Sequence, residues 1–249
     1  MMPHSSQPHL KQQCPFMNHS HSSTLHLVVI ARWLTVLAWS CVLVPSHAND
    51  KRNILFNIVN QCLNTQVADY CNRCQSPRQE AICQAQTTCK TSIDVWHETS
   101  EFVAMRDIKM CGCGPDFVHG LVLPKAKVTG VEDSKRPESI WPYAWDITQT
   151  KIQTNDKALA VNPQFRRSQD QLHIHIVRLK ADARTRLNEQ QLIAVKDLNS
   201  VWAASQRVAD ERRYSDYGVL VFEAPQGGFL IAVTQESPEH TYTQVRCAQ

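Results

Sequence analysis

The sequence has little net charge and lacks a basic stripe. Its 249 residues carry 26 Lys and Arg against 23 Asp and Glu, a formal net charge of +3. Lys11 and Arg32 are the only charged residues among the first 48, so the rest of the chain carries a net charge of +1. Nowhere are basic and aromatic residues interleaved as in proteins that bind nucleic acid. DNA and RNA are therefore excluded as expected partners.

The sequence also lacks a long hydrophobic run. The apolar run over residues 33–44 is 12 residues long, whereas a spanning helix needs about 20. Arg32 precedes the run, and the "PSHA" of residues 45–48 offers small residues for cleavage, which is the layout of a secretory signal. We predict a signal peptide over residues 1–48, and an uncleaved N-terminal membrane anchor is the alternative.

Export would place the cysteines in an oxidising compartment. Eight cysteines follow residue 48, namely Cys62, Cys71, Cys74, Cys83, Cys89, Cys111, Cys113 and Cys247. An even number in an exported chain predicts disulfides, although their pairing cannot be deduced. The "CNRC" of residues 71–74 and the "CGC" of residues 111–113 leave zinc as the alternative. A bridge from Cys247 would tie down the C-terminal end.

Two parts are predicted after the signal. Residues 49–98 form a cysteine-rich N-terminal segment, and residues 99–249 form the catalytic domain. Alternating apolar patterns predict strands over 100–108, 117–124, 158–163 and 171–179, and a hairpin over 217–235.

The rest of the second part is predicted to be helical. One helix is expected around Pro142. One or two more are expected over 182–212, because apolar residues recur there at helical spacing, namely Leu187, Leu192, Ile193, Val195 and Leu198. The whole indicates an α+β fold, with an antiparallel sheet of about five or six strands and helices on one side.

The strand "SQDQLHIHIVRLK", residues 168–180, carries the candidate chemistry. Because side chains alternate along a strand, Gln171, His173 and His175 share one face, opposite the apolar residues. One interpretation is an ordinary polar strand face. A second is a metal site, with His119 or His97 as the third ligand. A third is a nucleophilic histidine that attacks phosphorus and forms a transient phosphoramidate.

Two segments favour the third interpretation. "FVHGLVLPKAKVTGVED", residues 117–133, and "ALAVNPQFRRSQDQLHIHIVRL", residues 158–179, resemble the two hallmark strands of the histidine-triad (HIT-like) superfamily. Within it, the chain is similar to the CDP-diacylglycerol pyrophosphatase family from about residue 102 to 247. The resemblance implies a HIT-like fold and hydrolysis of CDP-diacylglycerol to CMP and phosphatidate without a cofactor. It also implies a place at the periplasmic side of the inner membrane, anchored or peripheral.

The resemblance also implies roles for individual residues. His173 matches the nucleophile, His175 the histidine that contacts phosphate oxygens, and His119 a supporting histidine. Asn162 would help to place the nucleotide. Ser168 and Gln169 would face the phosphates.

Gln171 is a departure, because it stands where the superfamily has its first histidine, and it is expected to orient the nucleophile. Arg167, with Arg166 and Arg178, lies near enough in sequence to neutralise a phosphate, and solvated surface charge is the alternative. The other functions left open are a HIT-type hydrolase of another nucleotide conjugate and an exported metal-binding protein that uses His173 and His175.

Overall fold

The computed structural model describes residues 51–81, 83, 88–187 and 192–247. Its centre is an antiparallel sheet of eight strands in the order β1-β2-β3-β5-β4-β7-β8-β6. The strands are β1 Val95–Glu98, β2 Phe102–Arg106, β3 Gly120–Pro124, β4 Lys157–Val161, β5 Ile174–Arg178, β6 Leu192–Val195, β7 Gly218–Glu223 and β8 Phe229–Thr234. The α+β class predicted from the sequence is confirmed.

The number of strands was predicted wrongly. The two missed strands are β1 and β6, which form the two edges of the sheet. Each has only four residues, none of them buried, so neither shows the apolar alternation that identified the inner strands. The helical interpretation of Leu192, Ile193 and Val195 is wrong, because these residues pair with β8.

Two helices cover one face of the sheet. They are α3, Ile140–Lys151, and α5, Val201–Glu211. Trp141 of α3 and Trp202 of α5 lie in edge-to-face contact, with ring centroids 4.7 Å apart. Below them pack the inward side chains of the inner strands, among them Ile174 and Ile176 of β5. Burial of this apolar surface is the main source of stability of the domain.

The opposite face is also covered, so the prediction of helices on one side describes only α3 and α5. At one end lie α1, Ile54–Cys62, and α2, Tyr70–Arg73, packed on side chains of β2 and β3. At the other end lie α4, Ala183–Arg186, and α6, Pro238–Tyr242. Between these two groups the face stays open, and most of the predicted site residues line the opening, whereas His119 and Gln171 do not.

The eight cysteines form four disulfides, as predicted. The pairs are Cys62–Cys74, Cys71–Cys83, Cys89–Cys111 and Cys113–Cys247. Both cysteines of "CNRC" and both of "CGC" are therefore bonded to partners outside their own motif, which rules out the zinc alternative for them. The last bridge ties the C-terminal end to the body. Four disulfides indicate folding in an oxidising compartment.

The predicted signal or anchor over residues 1–48 lies outside the described residues. Within the described part of the chain, no helix combines the length and the apolar character that crossing a bilayer requires.

Candidate active site

Strand pairing brings the candidate residues onto the open face. His175 on β5 lies opposite Leu121 on β3 and Ala160 on β4. His119 immediately precedes β3 and Asn162 immediately follows β4. His119 is two residues from Leu121, and Asn162 is two residues from Ala160. Both side chains therefore project from the same face of the sheet as His175.

His173 is held by its own strand segment. Its Nδ1 lies 2.6 Å from the backbone carbonyl oxygen of Gln171. Because a carbonyl can only accept, Nδ1 carries the proton and the lone pair of the neutral ring is on Nε2. Burial lowers the pKa of His173, so the neutral form is favoured. The ring also lines a cavity on the open face.

His175 lies behind His173 and is buried. The two rings meet edge to face, with centroids 4.8 Å apart. Nδ1 of His175 is 3.2 Å from Nε2 of His119. Nε2 of His175 is 3.4 Å from the amide nitrogen of Asn162. Burial holds the pKa of His175 well below its ordinary value. The ring is therefore a neutral member of a hydrogen-bonded cluster.

Glu239, on α6, joins the members of this cluster. Its Oε1 is 3.3 Å from Nε2 of His119, and its Oε2 is 3.3 Å from Nε2 of His175. Oε2 also accepts a hydrogen bond of 2.7 Å from the Asn162 amide. Burial alone would raise the pKa of Glu239, but His175, His119 and Lys109 outweigh it and lower the pKa. The carboxylate is thus ionised beside three neighbours.

Lys109 and Asp107 complete the polar floor of the cavity. The Lys109 ammonium pairs with Oε1 of Glu239. Asp107 accepts from the Lys109 backbone N–H at 2.9 Å, which fixes the segment that carries this lysine. One oxygen of Asp107 is 3.6 Å from Nε2 of His119. The floor therefore holds two carboxylates, those of Asp107 and Glu239, and one ammonium, that of Lys109.

The metal-ligand interpretation can be compared with this geometry. Among the described residues, Asp107, His119 and His175 offer ligand atoms within 4.8 Å of one another. His173 is not a member of this group. His97, the other third ligand considered, lies on β1 with its Nδ1 3.1 Å from the Tyr143 hydroxyl. Of the two residues of the His-x-His motif, His175 therefore belongs to the group that offers ligand atoms and His173 does not.

The cavity has a volume of about 530 Å³, within the usual range for small-molecule sites. One side of its lining is polar, with His173, His175, Glu239 and Asn162. The other side is apolar and comes largely from the cysteine-rich segment and β2 and β3. It consists of Ile54, Leu55, Ile58, Ile93, Met105 and Leu121. The cavity therefore suits a ligand with one charged end and one apolar end.

Gln171 is placed differently from a triad histidine. Its side-chain amide donates to the backbone carbonyls of Pro124 and Ala126, at 2.8 and 2.9 Å. The side chain is buried and makes no hydrogen bond to His173. Gln171 orients His173 through its backbone oxygen and uses its amide to join β5 to the end of β3.

Ser168, Gln169 and Arg167 all line the cavity. The side-chain Oε1 of Gln169 accepts from the backbone N–H of Leu55 at 3.1 Å, so Gln169 satisfies a donor at the start of α1. The buried guanidinium of Arg167 makes a two-pronged ion pair with Glu132. Arg167 therefore already has a carboxylate partner, whereas Ser168 is exposed in the cavity wall.

The other two arginines considered, Arg166 and Arg178, lie in different places. Arg166 is exposed and lines the cavity. Arg178 pairs with Asp156 at 3.3 Å and does not line it. Only Arg166 is thus both near the histidines and open to a phosphate.

Glu239, Lys109 and Asp107 were not predicted from the sequence. One local signal was present, because Ser237-Pro238 is a typical helix start, and Ser237 does accept from the His240 N–H. That signal predicts a helix but not its docking against His175. The contact depends on the path of the chain after β8.

Comparison with known proteins identifies one family. The family model described as CDP-diacylglycerol pyrophosphatase matches residues 50–244 of the chain. No curated protein matches the chain significantly. The matched range contains every residue of the cavity and all eight cysteines except Cys247.

Proposed function

The chain belongs to the CDP-diacylglycerol pyrophosphatase family, and we propose that it cleaves its substrate with His173 as the nucleophile. It is a hydrolase that acts on a pyrophosphate bond in phospholipid metabolism. The observation that carries the proposal is the hydrogen bond from Nδ1 of His173 to the Gln171 carbonyl. It leaves the Nε2 lone pair of a neutral ring available beside a cavity.

The proposed reaction has two steps. In the first, Nε2 of His173 attacks the cytidine-side phosphorus; an N–P bond forms and the anhydride P–O bond breaks, with its electron pair leaving on phosphatidate. In the second, water attacks the same phosphorus, the N–P bond breaks and CMP leaves. The proton of this water passes to solvent, and His173 returns to its neutral form.

The surroundings of His173 suit this chemistry. The cytidylylated ring is cationic, and the Gln171 carbonyl and the ionised Glu239 both favour a positive charge there. The developing charge on the phosphate oxygens needs donors. Ser168, Arg166 and the Asn162 amide line the cavity and are the candidates. His175 would act through Glu239 and Asn162 rather than alone.

The site residues from the sequence keep distinct roles in this proposal. His119 and Glu239 hold His175 in place, and Gln169 fixes the loop against α1. Arg167 would act through its pairing with Glu132, by holding the same loop.

We further propose that the enzyme works outside the cytoplasm, at the periplasmic side of the inner membrane. The four disulfides support an oxidising compartment. A substrate with two acyl chains resides in a bilayer, so the enzyme must reach the membrane surface. The scheme uses no cofactor.

The test is release of CMP from CDP-diacylglycerol by the full chain, with His173→Ala as the critical variant. We expect His173→Ala to lose turnover. Rapid quenching of the wild-type reaction without acid should trap a cytidylylated protein. His97→Ala is the matched control, since His97 is exposed on β1 and does not line the cavity. Turnover by His173→Ala at the wild-type rate would refute the nucleophile assignment.

Two other functions make different predictions. A HIT-type hydrolase of another conjugate would release a nucleotide faster from a non-lipid pyrophosphate than from CDP-diacylglycerol. A metal-binding protein that uses Asp107, His119 and His175 would lose its function with a chelator. Our scheme predicts full activity after the chelator treatment.

A further inference from the structure

We propose that the rim of the cavity docks onto an anionic phospholipid bilayer through Ile54, Ile108 and Phe165, here called the docking rim. This inference rests on the proposed function, since it names the surface through which the enzyme reaches its lipid. Among the described residues, large apolar side chains are strongly exposed at these three positions. Their relative exposures are 46%, 58% and 82%.

Two of the three positions line the cavity, and the third is next in sequence to a lining residue. Ile54 and Ile108 line the cavity while remaining exposed, and Phe165 precedes Arg166, which lines it. Single exposed apolar residues scattered over a surface are ordinary, but a group at one opening marks a site of interaction. The Phe165 ring is largely exposed and therefore adds little to the apolar burial of the folded chain.

The docking rim is held by local structure rather than by loose loops. Phe165 lies in a short 3-10 helix, and its backbone N–H donates to Asp216 at 3.0 Å. Ile108 lies in another, whose start is capped by the Asp107 side chain. Ile54 begins α1, which Gln169 caps. The apolar side chains are therefore displayed in fixed positions.

The charges near the docking rim favour anionic lipid. Lys51, Lys90 and Arg166 are exposed, and the last two line the cavity. Among the described residues that line the cavity, the acids are Asp107 and Glu239, and both are buried; Asp216, beside Phe165, is half-buried and accepts from its backbone N–H. Basic residues close to an anionic membrane surface are attracted to it.

An apolar path leads inward from the docking rim. Leu55, Ile58 and Met105 line the same cavity as Ile54 and the histidines. A lipid could thus present its pyrophosphate to His173 while its acyl chains stay along apolar surface. A folded protein partner would gain nothing from this path, so a bilayer is the occupant that fits both the docking rim and the cavity.

The experiment compares two substrates for the full chain. One is CDP-diacylglycerol with short acyl chains, below its micelle concentration; the other is the long-chain lipid in vesicles of phosphatidylcholine and phosphatidylglycerol. For Phe165→Ser we expect vesicle hydrolysis to fall about ten-fold, because the variant loses a large apolar side chain that the bilayer would otherwise bury. Hydrolysis of the monomeric substrate should stay at the wild-type rate. Phe165→Trp should retain the vesicle rate.

The controls separate the two proposals. Ala203→Ser changes an exposed residue of α5, on the opposite face of the sheet, and should leave both rates unchanged. The docking-rim proposal is overturned if Phe165→Ser hydrolyses the vesicle substrate at the wild-type rate. It is also overturned if the variant loses the same factor on both substrates. If the wild type fails to hydrolyse even the monomeric substrate, the proposed function falls instead.

Discussion

Glu239 lies between α6 and β5 with its Oε2 3.3 Å from Nε2 of His175. Its other oxygen is at the same distance from His119. One carboxylate from the end of the chain thus fixes two histidines from the middle of the sheet. The orientation of the triad-like strand therefore depends on a residue that the strand itself does not contain.

Glu239→Gln tests this dependence. An amide cannot supply the negative charge that pairs with Lys109 and faces His175 and His119, and a charge-assisted hydrogen bond contributes about 1.5–3 kcal/mol. We expect kcat for CMP release to fall about 10–100-fold, with a smaller change in KM. Steady-state kinetics on monomeric short-chain substrate measure both constants.

The pH profile of this variant separates positioning from simple loss of structure. Glu239 raises the pKa of His173 through its charge, so its removal should move the acid limb of kcat/KM to lower pH. Glu236→Gln, at an exposed glutamate nearby, should leave rate and profile unchanged. An unshifted acid limb in Glu239→Gln would contradict electrostatic coupling between these residues.

The wild-type pH profile is a second prediction. The nucleophile must be neutral, and burial lowers the pKa of His173 below the ordinary value of 6.5. Activity is therefore lost only when the pH falls through this lowered pKa. We expect the acid limb of kcat/KM to be centred below pH 6.5. An acid limb centred above 6.5 would mean that the titrating group is not His173 in this environment.

Much of the site could be predicted because strand periodicity is local. The alternation around His173 and His175 fixed which residues share a face, and the inner strands showed the same signal. The resemblance then supplied His119 and Asn162, which the structure brings within hydrogen-bonding distance of His175.

The remaining features depend on long-range packing. Edge strands bury too little to carry an apolar pattern, so β1 and β6 were missed. Gln171 was expected to contact His173 with its side chain, but a nearby pair of backbone carbonyls binds the amide instead. Glu239 reaches the site through a helix whose docking no local pattern encodes.

Gly120 provides a prediction on stability near His119. A Cβ at this position would lie 2.2 Å from the Trp96 ring, so the ring must move or β3 must shift. Crowding of this kind costs about 1–3 kcal/mol. We expect Gly120→Ala to lower the free energy of unfolding by about this amount in urea titration. Gly114→Ala is the matched control, since its Cβ would meet nothing within 4 Å. Equal stability of the two variants would refute the steric argument.

The Cys113–Cys247 bridge closes a loop with a sequence separation of 134, whereas that of Cys71–Cys83 is 12. A bridge that closes a longer loop removes more entropy from the unfolded chain, about 5 kcal/mol for the first and about 3 kcal/mol for the second. Replacement of both cysteines by serine should therefore cost about 2 kcal/mol more at the first bridge. Urea unfolding of the two double variants at one pH measures the difference. All four cysteines lie outside the fully buried core, so serine adds no large burial cost to either variant. A larger loss at the short loop would show that native-state contacts, not loop entropy, set the contribution of these bridges.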